Sequence, residues 1–322
     1  MFDFTFYFTA VFNNWIYKLF FLLLFNCPFA TSFSQDSVFQ NIAKKRQLIV
    51  SGINIGGFGG SLIILNNTWY KNYPKSNFHL FNDSREWLQV DKIGHAWTAY
   101  NTGKISTELW KWSGMEHRKA VWLGGLSGAA YQTSIEILDA HAEKWGWSWT
   151  DMAFNFFGST LFIAQELKWK EQRIQFKFSF HKNSEAEPIL LARSRELFGN
   201  SWTEKMLKDY NTQTYWLSIP IQLLSKNSKL PSWLSLAVGY GAEGLYGGFE
   251  NKWIDPLGNE IIRNDIFRNR QFYISPDIDF TKIKTKNKLL KTTFYFLNAF
   301  KCPAPAIMFD SKGKLKIHSL YF

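Results

Sequence analysis

The chain changes its hydrophobic periodicity near residue 170, and this change limits the folds that are open to it. Before Lys168 the apolar residues recur at helical spacing in long segments. From Arg173 to His181 apolar and polar residues alternate, which is typical of a strand. We therefore predict an α+β protein, with an N-terminal membrane-proximal helical bundle followed by a small antiparallel β-rich part. The predicted domain ranges are 35–170 and 171–322.

The first 34 residues resemble a secretory signal peptide. Lys18 precedes the apolar run Leu19–Phe25, and Ser32 and Ser34 supply small residues where cleavage would occur. An uncleaved N-terminal anchor is the alternative. Cys27 follows Leu24-Phe25-Asn26, which lacks the small residues of a lipidation motif, so its lipidation stays open. We expect an exported protein, located in the periplasm or associated with a membrane in the cell envelope.

Two further features favour a membrane setting. Gln47–Tyr70 carries no charged residue over 24 positions, long enough either to span a bilayer or to form a buried helix of a soluble bundle. Aromatic residues make up 18% of the chain, and amphipathic rings suit the membrane interface. With a net charge of +11, the protein could meet phosphate-rich lipid head groups. The export signal and the lack of a recognised binding motif speak against nucleic acid.

Three predicted helices carry polar residues at turn spacing within apolar surroundings. The first begins at an N-cap, Asp83, and runs to about Asn101; the second covers Lys119–Glu143; the third runs from Thr150 to about Glu166. Asp91 and His95 share one face of the first helix. The other two helices contribute Glu136, Asp139, Asp151 and Asn155, also at one-turn spacing.

Acidic side chains and a histidine inside apolar helices are costly unless they are paired or used. If the three faces meet, they form one pocket, with His95, Glu136 and Asp151 as candidate catalytic residues. The cofactor is unknown, and a divalent metal is one candidate. The candidate metal ligands are Asp91, His95, Glu136 and Asp139. The candidate binding residues are Lys92, Gln132 and Asn155. A structural polar network that holds the bundle together is the alternative.

The segment Trp87–Glu166 resembles the YfiM-type family of predicted periplasmic lipoproteins. The resemblance rests on Asp91-Lys92-x-x-His95, on Glu136, and on Asp151-x-x-x-Asn155-x-x-Gly158. The same motifs are distantly similar to VanZ-like membrane proteins. The resemblance implies an exported, membrane-associated protein and supplies no established reaction.

These observations lead to two functional hypotheses. The first is a membrane-associated envelope protein whose His/Asp/Glu pocket acts on a membrane lipid or an envelope glycan. The second is a non-catalytic envelope assembly or scaffold protein whose polar pocket is structural. The sequence leaves open whether the protein is an enzyme, and its oligomeric state is unknown.

Overall fold

The computed structural model describes residues 37–70, 73–182, 187–224 and 230–321. The chain divides into two compact units, Met1–Ile42 and Ala43–Phe322. Of the first unit only residues 37–42 are described, and they begin the first helix. The predicted signal peptide and Cys27 lie outside the described residues.

Long helices dominate the described chain up to residue 169. They are α1 (Ser37–Leu65), α2 (Val90–Trp112), α3 (His117–Asp139) and α4 (Trp149–Trp169). A π-helical segment, Asn66–Tyr70, continues α1, and a 3-10 turn, Glu86–Gln89, precedes α2. The three predicted helices of the bundle correspond to α2, α3 and α4.

The predicted start of the first bundle helix is wrong. Gln89, not Asp83, occupies the N-cap position of α2. The carboxylate of Asp83 instead accepts hydrogen bonds from the side chains of Lys92 and Ser148. Asp83, which the sequence pattern suggests as an N-cap, is therefore a buried ion-pair partner of Lys92.

Six antiparallel strands form the main sheet, in the order β1–β2–β3–β6–β7–β8. These strands are β1 (Gln175–Phe180), β2 (Gln213–Pro220), β3 (Leu234–Glu243), β6 (Asn269–Ile278), β7 (Ala304–Asp310) and β8 (Leu315–Tyr321). A separate hairpin pairs β4 (Lys252–Ile254) with β5 (Glu260–Ile262). Sequence periodicity missed β7 and the hairpin, which are short and interrupted by proline or turn residues.

Shorter helices connect the strands. They are α5 (Pro188–Phe198), α6 (Trp202–Lys208), the single turn α7 (Ile221–Leu224) and α8 (Lys288–Leu297). Another 3-10 turn, Phe280–Lys282, lies between β6 and α8.

The core joins the helices to the sheet. Tyr100 of α2 packs against Phe162 of α4 and Phe176 of β1. Trp97 contacts Phe178 of the same strand. Burial of these aromatic side chains contributes the largest apolar areas of the interface. The α+β fold with an N-terminal helical part is confirmed.

Helix α1 has most of its apolar side chains exposed. Its residues Gln40–Leu65 are long and apolar enough to cross a membrane. Leu48 is 73% exposed, and Ile63 and Ile64 are each 64% exposed. A helix buried in a soluble bundle would cover such residues, so the exposure favours the membrane-embedded alternative.

Candidate functional site

Glycines let the three bundle helices approach closely. A Cβ atom at Gly128 of α3 would lie 2.1 Å from the backbone oxygen of Ala99, and one at Gly158 of α4 would lie 2.0 Å from that of Ala96. Both contacts are made with α2, so the polar faces of α3 and α4 lie against it. This proximity places side chains from three helices in one cluster.

The first half of the cluster surrounds His95. Gln132 Nε2 lies 3.1 Å and Asn155 Oδ1 lies 3.2 Å from His95 Nδ1. Glu136 Oε1 is 3.6 Å from the same nitrogen, and Asp151 Oδ2 is 4.0 Å from Nε2. Glu136 and Asn155 are fully buried, whereas the His95 side chain is 20% exposed. The imidazole therefore lies between solvent and the buried groups.

His95 Nδ1 has a partner in either protonation state. When this nitrogen is unprotonated, it accepts from the Gln132 amide; when it carries a proton, it donates to Asn155 Oδ1. Nδ1 therefore keeps a hydrogen-bond partner whether or not it carries a proton.

Three buried polar atoms around His95 lack a hydrogen-bond partner among the described residues. They are Gln132 Oε1, Glu136 Oε1 and Asn155 Nδ2. Buried polar groups are nearly always hydrogen-bonded, and an exception indicates a water, an ion or a ligand. The His95 half therefore offers an amide N–H, an amide oxygen and a carboxyl oxygen to something bound beside the ring.

The second half of the cluster is centred on Lys92. Its ammonium is fully buried, contacts Asp83, and lies 2.9 Å from both Asp91 Oδ2 and Asp151 Oδ1. The Ser148 hydroxyl donates a hydrogen bond to the Asp83 carboxylate. Ser148 is also the N-cap residue of α4, and its hydroxyl accepts a hydrogen bond from the backbone N–H of Asp151. Asp151 belongs to both halves and joins the ion-pair network to His95.

Burial and charge set the protonation states. Burial, reinforced by Asp151 and Asp139, raises the pKa of Glu136 to about 9, so this carboxyl is neutral at pH 7. Burial would also raise the pKa of Asp151, but His95 and Lys92 outweigh it and lower the pKa. One acid is thus held protonated and its neighbour ionised, a division of roles typical of acid–base sites.

The other predicted ligands lie apart from His95. Burial raises the pKa of Asp91 to about 7, and its carboxylate is paired with Lys92. Asp139 Oδ1 accepts a 2.7 Å hydrogen bond from the Tyr70 hydroxyl. The structure brings together His95, Glu136 and Asp151, whose ligand atoms all lie within 4.8 Å of one another. The acids Asp83, Asp91 and Asp151 are equally close, but the Lys92 ammonium contacts all three.

A strained turn holds the beginning of α2. Trp87, Leu88 and Gln89 have positive φ angles of 49°, 50° and 65°, which cost non-glycine residues free energy. The sheet stabilises the turn, because Tyr240 and Arg270 both donate to the backbone oxygen of Leu88. Asp91 and Lys92 follow directly. Sequence reasoning missed this turn and the ion pair between Asp83 and Lys92, since neither has a local signature.

A comparison with protein families gives one match. Residues 79–165 match the model of a family described as predicted periplasmic lipoprotein (DUF2279). No curated protein and no solved structure matches the chain. The match contains all the residues of the cluster and supports the family-level resemblance, without extending to VanZ-like proteins. The segment that builds the site is thus similar to a predicted periplasmic lipoprotein family, and the protein is an exported component of the cell envelope.

Proposed function

We propose that the His95 half of the cluster is an acid–base site that hydrolyses a lipid or glycan of the cell envelope. The observation that carries this proposal is the set of three unpartnered buried polar atoms around a partly exposed imidazole. An unpaired buried polar atom costs about 1–3 kcal/mol, so these three atoms favour a polar molecule bound beside the ring.

Each residue has a role that follows from its position. His95 takes a proton from the attacking water, and the ionised Asp151 stabilises the imidazolium. Glu136 is protonated at neutral pH and gives its proton to the leaving oxygen as the bond to that oxygen breaks. Gln132 and Asn155 bind the substrate, and Lys92 holds Asp151 in place.

A divalent cation is a variant of this proposal. The ligand atoms of His95, Glu136 and Asp151 are close enough to bind one ion together, and Glu136 Oε1 has no other partner among the described residues. A bound cation would polarise a carbonyl or phosphoryl oxygen and acidify a water molecule.

The substrate class is proposed from the location and the surroundings of the site. Trp149, two residues before Asp151, is 67% exposed and packs edge-on against Trp147. An exposed indole beside a polar pocket suits a substrate with an apolar or sugar face. Envelope lipids and glycans carry the ester, phosphoester and glycosidic bonds that such a site would hydrolyse.

A second candidate function is a non-catalytic assembly or scaffold role. The Lys92 half favours it, since that half is a closed network of buried charges that contact one another. Such networks can specify one packing of a bundle without doing chemistry.

The test compares His95→Gln and Glu136→Gln with a control, His141→Gln, whose imidazole contacts the backbone oxygen of Ile137 at the end of α3 and not the cluster. Purified proteins are incubated with isolated envelope lipids and glycans, and products are identified by mass spectrometry. We expect the two cluster variants to lose hydrolysis at least a hundredfold with unchanged melting temperature, and the control to stay active. Absence of hydrolysis by the native protein, or loss of folding in both cluster variants, would favour the scaffold role.

Elemental analysis of the active protein measures whether a divalent cation is bound.

A further inference from the structure

The six-stranded sheet curls so that one face is enclosed. Strands β2 and β8 are not neighbours, yet Thr214 of β2 lies 2.9 Å from the Tyr321 hydroxyl of β8. The rings of Trp216 and Tyr321 are also in contact. We call the enclosed side the inner face and the opposite side the outer face.

The inner face buries charged groups next to an aromatic cluster that contains Trp216, Tyr273 and Tyr321. Lys177 Nζ of β1 lies 2.8 Å from Asp277 Oδ2 of β6, and both side chains are fully buried. Ser218 of β2 donates to the same carboxylate over 2.6 Å. A sheet that folds against water normally buries its apolar face, because burying charges is costly.

The outer face is apolar and largely exposed. The strand register places Val238 opposite Ile274, and Ile274 opposite Ile307. Phe272 and Phe309 form the next pair, and all five side chains are between 41% and 48% exposed. The face continues to Ile317 of β8, which is 70% exposed. Over β3, β6, β7 and β8 the sheet therefore exposes an apolar face, while the charged pair Lys177–Asp277 is buried on the opposite side.

We propose that this outer face contacts the hydrocarbon of an envelope membrane. Alternation of apolar outward and polar inward side chains is the pattern of strands that face lipid. Against hydrocarbon the exposed apolar side chains need no protein partner. The sheet itself separates the charged side chains of the inner face from the hydrocarbon.

Positive charge lies at the end of this face. Lys312 is in the turn between β7 and β8, and its ammonium lies over the ring of Phe267. The whole chain carries a net charge of +11. Helix α8 also exposes apolar side chains, including Leu289 and Phe296, and Phe300 after it contacts Phe178, an outer-face residue of β1.

The net positive charge favours a membrane over a second copy of the chain. Anionic head groups attract each lysine near the surface by about 1 kcal/mol. Two copies of the chain would bring like net charges together. The proposal does not depend on the chemistry at His95.

The experiment measures lipid protection at single cysteines in the full chain. In a Cys302→Ser background, Ile274→Cys and Ile307→Cys probe the outer face. Leu257→Cys is the matched control, because Leu257 is apolar and 86% exposed but lies in the turn between β4 and β5. The Cys302→Ser protein without a further substitution measures how much label reacts with Cys27.

Proteins are reconstituted in phosphatidylethanolamine–phosphatidylglycerol vesicles and treated with a membrane-impermeant maleimide. We expect the two outer-face cysteines to react at least tenfold more slowly than Leu257→Cys. Nitroxide labels at the same two sites should collide more often with oxygen than with a water-soluble nickel complex. Reaction as fast as that of the control would overturn the proposal. Protection that persists without lipid, together with a doubled mass in light scattering, would assign the face to a second copy instead.

Discussion

The electrostatics of the cluster depend on the side-chain ammonium of Lys92. It contacts three carboxylates in a fully buried position, and the attraction of these acids outweighs the burial that alone would lower its pKa. Without it, Asp83, Asp91 and Asp151 would face one another with no counter-charge. The intact ion pair contributes little net free energy of folding, whereas its loss would leave buried carboxylates without a counter-charge, which is strongly destabilising.

Replacing Lys92 with methionine should destabilise the protein by about 3–5 kcal/mol, since it leaves uncompensated buried charge. Chemical denaturation of the variant and the native protein measures the difference. Lys119→Met is the control, because Lys119 and its partner Glu116 are 71% and 62% exposed and such pairs contribute less than about 1 kcal/mol. Equal effects of both substitutions would contradict the assigned role of Lys92.

Glu136 should make folding stability depend on pH. Its pKa is about 9 in the folded protein against 4.5 as its ordinary value, so the folded state holds the proton more tightly. Stability from this group is therefore full below about pH 4.5 and falls as the pH rises toward 9. Glu136→Gln keeps the shape and removes the titration. Melting temperatures between pH 5 and 9 should decline more steeply for the native protein than for the variant; parallel curves would contradict the raised pKa.

At the scale of elements, the helix crossings depend on specific glycines. A methyl group at Gly158 would meet the backbone oxygen and carbon of Ala96, which cannot move away as a flexible side chain can. Gly158→Ala should therefore destabilise the protein by roughly 1–3 kcal/mol. Gly57→Ala in α1 is the matched control, with nothing within 4 Å of the added atom, and should stabilise its helix by up to about 1 kcal/mol. Thermal unfolding of both variants checks the opposite signs.

The sequence predicted the elements with strong periodicity and missed those set by distant contacts. The cores of α2, α3 and α4 followed from apolar spacing, and so did the polar residues that face one another across them. The left-handed turn at Trp87–Gln89 depends on Tyr240 and Arg270, about 150–180 residues away in the chain. Asp83 gave a helix-cap pattern locally, but its partner Lys92 is known only from the fold. Periodicity also showed that strands were present without showing which face would be enclosed.

At the scale of the molecule, two apolar surfaces are exposed within the described residues: helix α1 and the outer face of the sheet. A protein in water rarely exposes this much apolar area. The His95 cluster belongs to the helical part, and the ion-pair network beside it is tied through the turn at Leu88 to the sheet. A substrate that resides in the envelope membrane would therefore meet the proposed catalytic cluster and the proposed lipid-facing surface on the same protein.

A membrane-spanning position of α1 is an expectation from its length and hydropathy, and it makes a positional prediction. A lysine at the centre of a spanning helix costs about 2.5–3.5 kcal/mol, whereas one near the end reaches the interface and costs much less. Ile53→Lys lies near the middle of Gln40–Leu65, and Ile42→Lys lies near its beginning. With residues 40–65 placed in a host membrane protein that reports insertion by glycosylation of its tags, Ile53→Lys should lower the ratio of inserted to non-inserted chains by about 50-fold or more. Ile42→Lys should lower it only slightly. Equal losses at the two positions would mean that the segment does not cross the bilayer, because an interfacial or water-exposed helix has no costly centre.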